Sequence, residues 1–136
     1  MIELMIVVAI IAILTAIAYP SYVTYITKTH RVAAEGCLAE YANYMERFYT
    51  TNLSYSKTSA AVANALPAMD CAATQQTGAN YTYDLPAGNL SVSTYTVEAV
   101  PINAQLTRDA KCGTLQLDQT GKRTALNDPT DVAGCW

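Results

Sequence analysis

Glu3 is the only charged side chain in the first 27 residues, and its isolation makes it the most specific chemical feature of the sequence. No charge follows until Lys28. An unpaired carboxylate deep in hydrocarbon costs about 2.5–3.5 kcal/mol even on lenient insertion scales. Glu3 therefore either lies at headgroup level, solvated, or has a partner of opposite sign. One chain offers only its own amino terminus. If identical helices bundle side by side, a neighbour's amine supplies the positive charge and fixes the axial register. Four cysteines, Cys37, Cys71, Cys112 and Cys135, carry the second chemistry. An even number on the polar side of an apolar segment points to disulfides in an oxidising compartment, periplasm or cell surface. Three connectivities are open, and spacing alone does not choose among them. We favour Cys37–Cys71, pinning a loop to a helix, and Cys112–Cys135, tying the tail to a sheet. Each would stabilise by about 3–4 kcal/mol in the chain-entropy description. Third, Lys111, Lys122 and Arg123, with Arg108 close by, gather near the end of the chain and could meet nucleic-acid phosphates. A solvated basic edge balanced by Asp109 and Asp118 is the plainer account of the same residues.

Other chemistries fail on inventory. His30 is the only histidine and has no companions at metal-ligand spacing, so no metal site is expected. Nucleophilic catalysis would need a free Cys or a Ser beside a base. No glycine loop cradles phosphate, and the carboxylates are scattered singly. The expectation is a protein that is not an enzyme, with no cofactor and no small-molecule substrate. A net charge of -3 gives no general attraction to nucleic acid. Asn52-Leu53-Ser54 matches the N-glycosylation triplet, a pattern too short to assign a glycan.

The elements that position these groups follow from periodicity. Leu4 to Thr27 is uncharged, and as a helix it spans about 36 Å, enough to cross a hydrocarbon core of about 30 Å. A removable signal peptide has a basic start, a shorter apolar core and a small-residue cleavage site. This segment is longer, leads with an acid and lacks such a site after Pro20, so the helix is expected to stay in the mature protein. Pro20 lacks a backbone donor, and a kink or local loosening is expected there. Tyr19, Tyr22 and Tyr25 share one side, suited to a subunit contact or headgroup anchoring; an aromatic path for electrons is the bolder alternative. Lys28 and Arg31 form a small basic collar after the apolar run, expected at the membrane boundary or facing acidic residues of neighbours.

From His30 to Thr50 an amphipathic pattern sets Ala33, Cys37, Tyr41, Tyr44 and Phe48, flanked by Ala34, Leu38 and Met45, on one stripe. Residues 51–80 read as a connecting loop with a helical turn through Ser59–Leu66, stopped by Pro67. Alternation then predicts strands through Tyr81, Tyr83 and Leu85, through Tyr95, Val97 and Ala99, from Cys112 to Leu117, and near Lys122–Ala125. Pro86–Asn89 and Asp118–Gly121 give turns. The fold class is α+β: residues 1–27 form a projecting apolar helix and residues 28–136 a head. Within the head, an amphipathic helix over 28–50 packs on a four-stranded antiparallel sheet carried by 81–136.

The opening Ile2-Glu3-Leu4-Met5-Ile6-Val7-Val8-Ala9-Ile10-Ile11-Ala12-Ile13-Leu14, followed by Ala18-Tyr19-Pro20-Ser21-Tyr22, resembles the amino-terminal segment of mature type IV pilins. That family's mature chain opens Phe-Thr-Leu-Ile-Glu-Leu, after a peptidase removes a basic leader and methylates the new amine. This sequence enters at the third position, with Met1 where leucine is usual, so Ile2 and Glu3 align. Tyr95 to Gln105, Cys112 to Gly121 and the closing Cys135-Trp136 are similar to the PilE-type minor pilins of gram-negative bacteria. The segment from Gly113 to Gly134 resembles the disulfide-bonded loop at the pilin's outer surface. The Cys37–Cys71 pair is not general in that group.

The resemblance implies a structural subunit of a type IV pilus, held in the inner membrane before assembly machinery moves it into an extracellular filament. Its partners would be other pilin subunits in a homo-oligomeric helical array, serving adhesion, twitching motility or DNA uptake. Two alternatives stand beside it. One is a competence minor pilin that binds DNA through Lys111, Lys122 and Arg123; the other is a pseudopilin of a type II secretion system.

Overall fold

The structure, a computed structural model, describes residues 1–136. Its spine is α1, Ile2–Asn52, a single helix of 51 residues and about 77 Å. It runs on through Pro20. Thr15 and Thr24 sit in the apolar half with their hydroxyls donating to the helix's own carbonyls, Ile11 O at 2.9 Å and Pro20 O at 3.0 Å. Neither threonine hydroxyl needs water for its proton. The helix stops at Leu53, which takes the left-handed conformation (φ 54°) and donates its N–H to the Tyr49 carbonyl at 2.7 Å.

Every residue from Ile2 to Tyr22 is exposed, so the first half of α1 stands clear of the head. From Thr27 onward one face is covered: Thr27, Ala34, Cys37, Leu38, Tyr41 and Met45 are buried. Successive residues turn by about 100°. Ala33 therefore falls to the side of the line through Ala34, Leu38, Tyr41 and Met45 and is exposed, contrary to its expected place on the stripe.

The sheet consists of β1 Tyr81–Asp84, β2 Thr96–Pro101, β3 Leu115–Asp118 and β4 Arg123–Ala125, all antiparallel in the order 1-2-3-4. Register places Tyr83 opposite Ala99, Ala99 opposite Leu115, and Leu115 opposite Ala125. Those positions face α1, and Tyr81, Tyr95, Val97, Ala99, Leu115 and Ala125 are almost fully enclosed. This is the alternation that a half-covered sheet requires. Two short helices, α2 Asn103–Arg108 and α3 Val132–Cys135, fill segments that carry no helical period.

Two expected boundaries are corrected. No helical turn forms over Ser59–Leu66; Lys57 and Ala63 instead pair as an antiparallel bridge, and Ala61 takes a positive φ. Polar side chains capture the backbone donors there: Thr58 Oγ1 accepts from Val62 N–H at 3.2 Å and Asn52 Oδ1 from Ser59 N–H at 3.1 Å. Such local bonds compete with a helix. The third strand begins at Leu115, since Cys112 and Gly113 form a turn whose N–H groups both donate to the Asp109 carbonyl, at 3.1 and 3.0 Å.

The cysteines pair as Cys37–Cys71 and Cys112–Cys135, and none is free. The first bond holds the loop to α1. The second fastens α3 to the turn before β3.

Candidate nucleic-acid interface and its supports

One basic residue of the head, Arg31, is anchored in a buried polar network that sequence spacing does not reveal. Arg31 on α1 donates to Asp109, just after α2, although 78 residues separate them. The same guanidinium reaches Cys112 Sγ at 3.2 Å and the Gly134 carbonyl at 3.3 Å, meeting both sides of the terminal disulfide loop. Asp109, 3 % exposed, also accepts from the Tyr81 hydroxyl at 3.1 Å and from Gln105 Nε2 at 3.2 Å. Gln105 donates in addition to the Thr27 carbonyl at 3.0 Å. Burial, reinforced by the Asp109 charge, pushes the Tyr81 phenol well above the ordinary tyrosine range. Asp109 was expected to balance a basic edge at the surface; it is instead the acceptor at the centre of this network.

The expected cluster of Lys111, Lys122, Arg123 and Arg108 divides in two. Arg108 and Lys111 line one cleft of about 370 Å3 with Lys28 and Arg31. Lys111 is committed to carboxylates, donating to Asp131 at 2.7 Å with Asp128 at 3.6 Å. These bonds hold the Lys111 ammonium above its usual range. Lys122 and Arg123 lie on the β3–β4 hairpin. Its turn is organised by Asp118, whose Oδ1 accepts from Thr120 N–H, the Thr120 hydroxyl and Lys122 N–H at 2.6–3.0 Å. Partial burial works to raise the Asp118 carboxyl, but those hydrogen bonds outweigh it and hold it below the usual range.

Arg123 stacks over Trp136, 5.2 Å from the ring centroid, and Trp136 Nε1 donates to the Thr124 carbonyl at 3.1 Å. A smaller cavity of about 130 Å3, lined by Lys28, Arg31, Glu35 and Trp136 among others, shares Lys28, Arg31 and Gly134 with the first cleft. Burial raises the Glu35 carboxyl above its usual range, and the charges of Arg31 and Arg123 offset this only in part. Of the eight Lys and Arg side chains, only Arg31 and Lys111 make ion pairs. The edge that remains presents free cations beside a stacked Arg–Trp pair. Such a surface suits phosphate together with a flat base. Trp136 closes the chain in sequence with no role attached; its being the single tryptophan, two positions from Gly134, is the signal that points to it.

On the stalk, Glu3 lies in the first turn of α1 and is exposed. Tyr19, Tyr22 and Tyr25 are exposed as well. The stalk thus shows a continuous apolar surface with no partner in a single chain. His30 faces Asn80, its Nδ1 3.4 Å from Asn80 Nδ2.

Residues 20–116 match the profile of a family described as type IV minor pilin ComP, DNA uptake sequence receptor. Among solved structures, the chain is similar to a high-resolution structure of a type IV pilin from Shewanella oneidensis. That likeness has a TM-score of 0.51 at 23 % identity, over 81 % of this chain and 97 % of the other, and it shows a shared fold. No curated protein sequence matches the chain.

Proposed function

The chain belongs to the ComP family of type IV minor pilins, and on that footing we propose that its head receives DNA at the surface of a type IV pilus. As a pilin it is a structural subunit. The finer assignment, DNA capture, rests on the family's description as a DNA uptake sequence receptor and on one observation in this molecule. Lys122 and Arg123 project from a hairpin next to Trp136 without carboxylate partners. Free cations contribute counterion release on binding phosphate, whereas cations already paired contribute less. Lys111, engaged by Asp128 and Asp131, is therefore a weaker contact than the sequence led us to expect.

The experiment is duplex binding by the full chain over a series of salt concentrations. Log affinity should fall linearly with log salt, and Lys122→Ala with Arg123→Ala should weaken binding and shallow the slope by nearly two units. A slope and affinity unchanged in the double variant would refute this face.

Assembly is proposed to follow the same logic. Before incorporation the apolar half of α1 spans the inner membrane; in the extracellular filament it packs against other subunits. Glu3 sets the axial register by meeting a neighbour's terminal amine. Pro20, which leaves the Ala16 carbonyl without its usual donor, is where the helix would loosen as it is packed. The family match favours this reading over a secretion pseudopilin.

A further inference from the structure

The cleft under the head lies where the stalk joins it. Val23, Thr24, Thr27, Lys28 and Arg31 form its α1 wall, and Arg108 faces them from the end of α2. We propose that this cleft holds the phosphate of an anionic phospholipid headgroup while the subunit is in the membrane. The inference rests on the membrane insertion proposed above and goes beyond DNA capture.

Axial position supports it first. If Glu3 sits at one boundary of the hydrocarbon, a core of about 30 Å consumes about 20 helical residues and ends near Val23. The following turn, Thr24 to Lys28, falls in the headgroup layer. The α1 wall of the cleft as far as Lys28 is therefore at phosphate depth, with Val23 beside the acyl boundary.

Charge supports it second. Lys28 and Arg108 are exposed and make no ion pair. Behind them Arg31 is held by Asp109 and the Gly134 carbonyl, so that wall is fixed. Lys111, bound to Asp131, does not count towards the free charge. The Thr24 and Thr27 hydroxyls already give their protons to the Pro20 and Val23 carbonyls, at 3.0 and 2.9 Å. A phosphate entering the cleft would be met by the two free cations. Cations at a membrane surface favour anionic lipid, and two of them predict a preference of roughly tenfold or more.

The test uses the full chain in bilayer nanodiscs of equal parts phosphatidylglycerol and phosphatidylcholine, with retained lipid identified by native mass spectrometry. The wild type should retain phosphatidylglycerol over phosphatidylcholine by roughly tenfold or more. Lys28→Gln with Arg108→Gln should bring the two to parity, while Lys122→Gln with Arg123→Gln should leave the preference intact. Both double variants change exposed side chains outside the buried network, and absence of free thiols confirms that the head has folded. Parity in the wild type would overturn the proposal. So would loss of preference in the hairpin variant, or displacement of the lipid by inorganic phosphate, which would make the ligand a free anion. If Lys28→Gln with Arg108→Gln lost duplex binding but kept the lipid preference, the cleft would belong to the DNA edge and the proposal would fail. Failure of the chain to float with pure phosphatidylcholine vesicles would instead remove the insertion premise, a result distinguishable from all of these.

Discussion

Arg31 and Asp109 meet across the junction of stalk and head, and with Cys112 and Gly134 alongside they tie α1 directly to the terminal disulfide loop. Both side chains are nearly enclosed, at 11 % and 4 % exposure. Removing one partner of such a pair leaves a buried charge uncompensated, which costs about 3–5 kcal/mol. Asp109→Ala also takes the acceptor from Tyr81 and Gln105. It should destabilise the head by that amount in urea unfolding, whereas Arg31→Met combined with Asp109→Leu should cost clearly less. Equal losses in the single and double variants would show that packing, not charge, dominates the site.

The two disulfides enclose 34 and 23 residues. Alkylation without prior reduction should modify none of Cys37, Cys71, Cys112 and Cys135. Replacing either pair by serine should cost about 3–4 kcal/mol by the loop-closure relation. Loss of Cys112–Cys135 should also loosen the Arg31 contacts, read as faster hydrogen exchange at Gly113 and Gly134.

Acid should act on the terminal loop in a defined direction. Asp131 is held below the usual carboxylate range by the hydrogen bond and charge of Lys111 and by Gly134 N–H. Asp128 is lowered by the Thr130 hydroxyl and Asp131 N–H, with Lys111 assisting. A depressed folded-state value means that the contribution to stability is present above the unfolded pKa, near 4. It is lost as pH falls through the folded value. Carbon-detected titration of the two carboxyls should therefore give midpoints below 3.8, and Lys111→Ala should raise both. The Asp131 midpoint should move more.

Leu53 occupies a left-handed conformation at the end of α1 while 73 % exposed. A side chain there costs about 1–2 kcal/mol, and glycine relieves it against some gain in unfolded-state entropy. Leu53→Gly should stabilise by about 0.5–1 kcal/mol, seen as a higher Tm. A lower Tm would mean that the exposed leucine makes contacts stronger than the strain.

The sequence reveals the long helix, the four strands and their inward faces because each follows a period of 3.6 or 2 that burial imposes. Tyr95, Val97 and Ala99 are the clearest case, since all three are sealed. Residues Ser59–Leu66 have the composition of a helical turn but form none, because the Thr58 and Asn52 side chains take the backbone donors. The basic residues look like one cluster in sequence only because proximity along the chain stands in for proximity in space. Arg108 and Lys111 instead turn towards Lys28 and Arg31, more than 70 residues earlier. Asp109, lying between those cations in sequence, gave no sign that it was buried. Long-range ion pairs have no period to read.

Glu3 provides the sharpest test of the assembly proposal. The residue is exposed, the helix around it is apolar, and no side chain of the same molecule pairs with it. Glu3→Gln keeps the shape and removes the charge. In a membrane that change lowers the insertion cost, so the subunit should accumulate in the inner membrane with its head folded and both disulfides formed. In a filament it removes the only carboxylate able to meet a neighbour's amine, and incorporation into sheared pili should fall by tenfold or more, the equivalent of about 1.4 kcal/mol. Aspartate at the same position retains the charge on a shorter arm and should restore part of the loss. Normal incorporation of Glu3→Gln would assign the register to apolar packing along α1, with Tyr19, Tyr22 and Tyr25 as the next residues to vary.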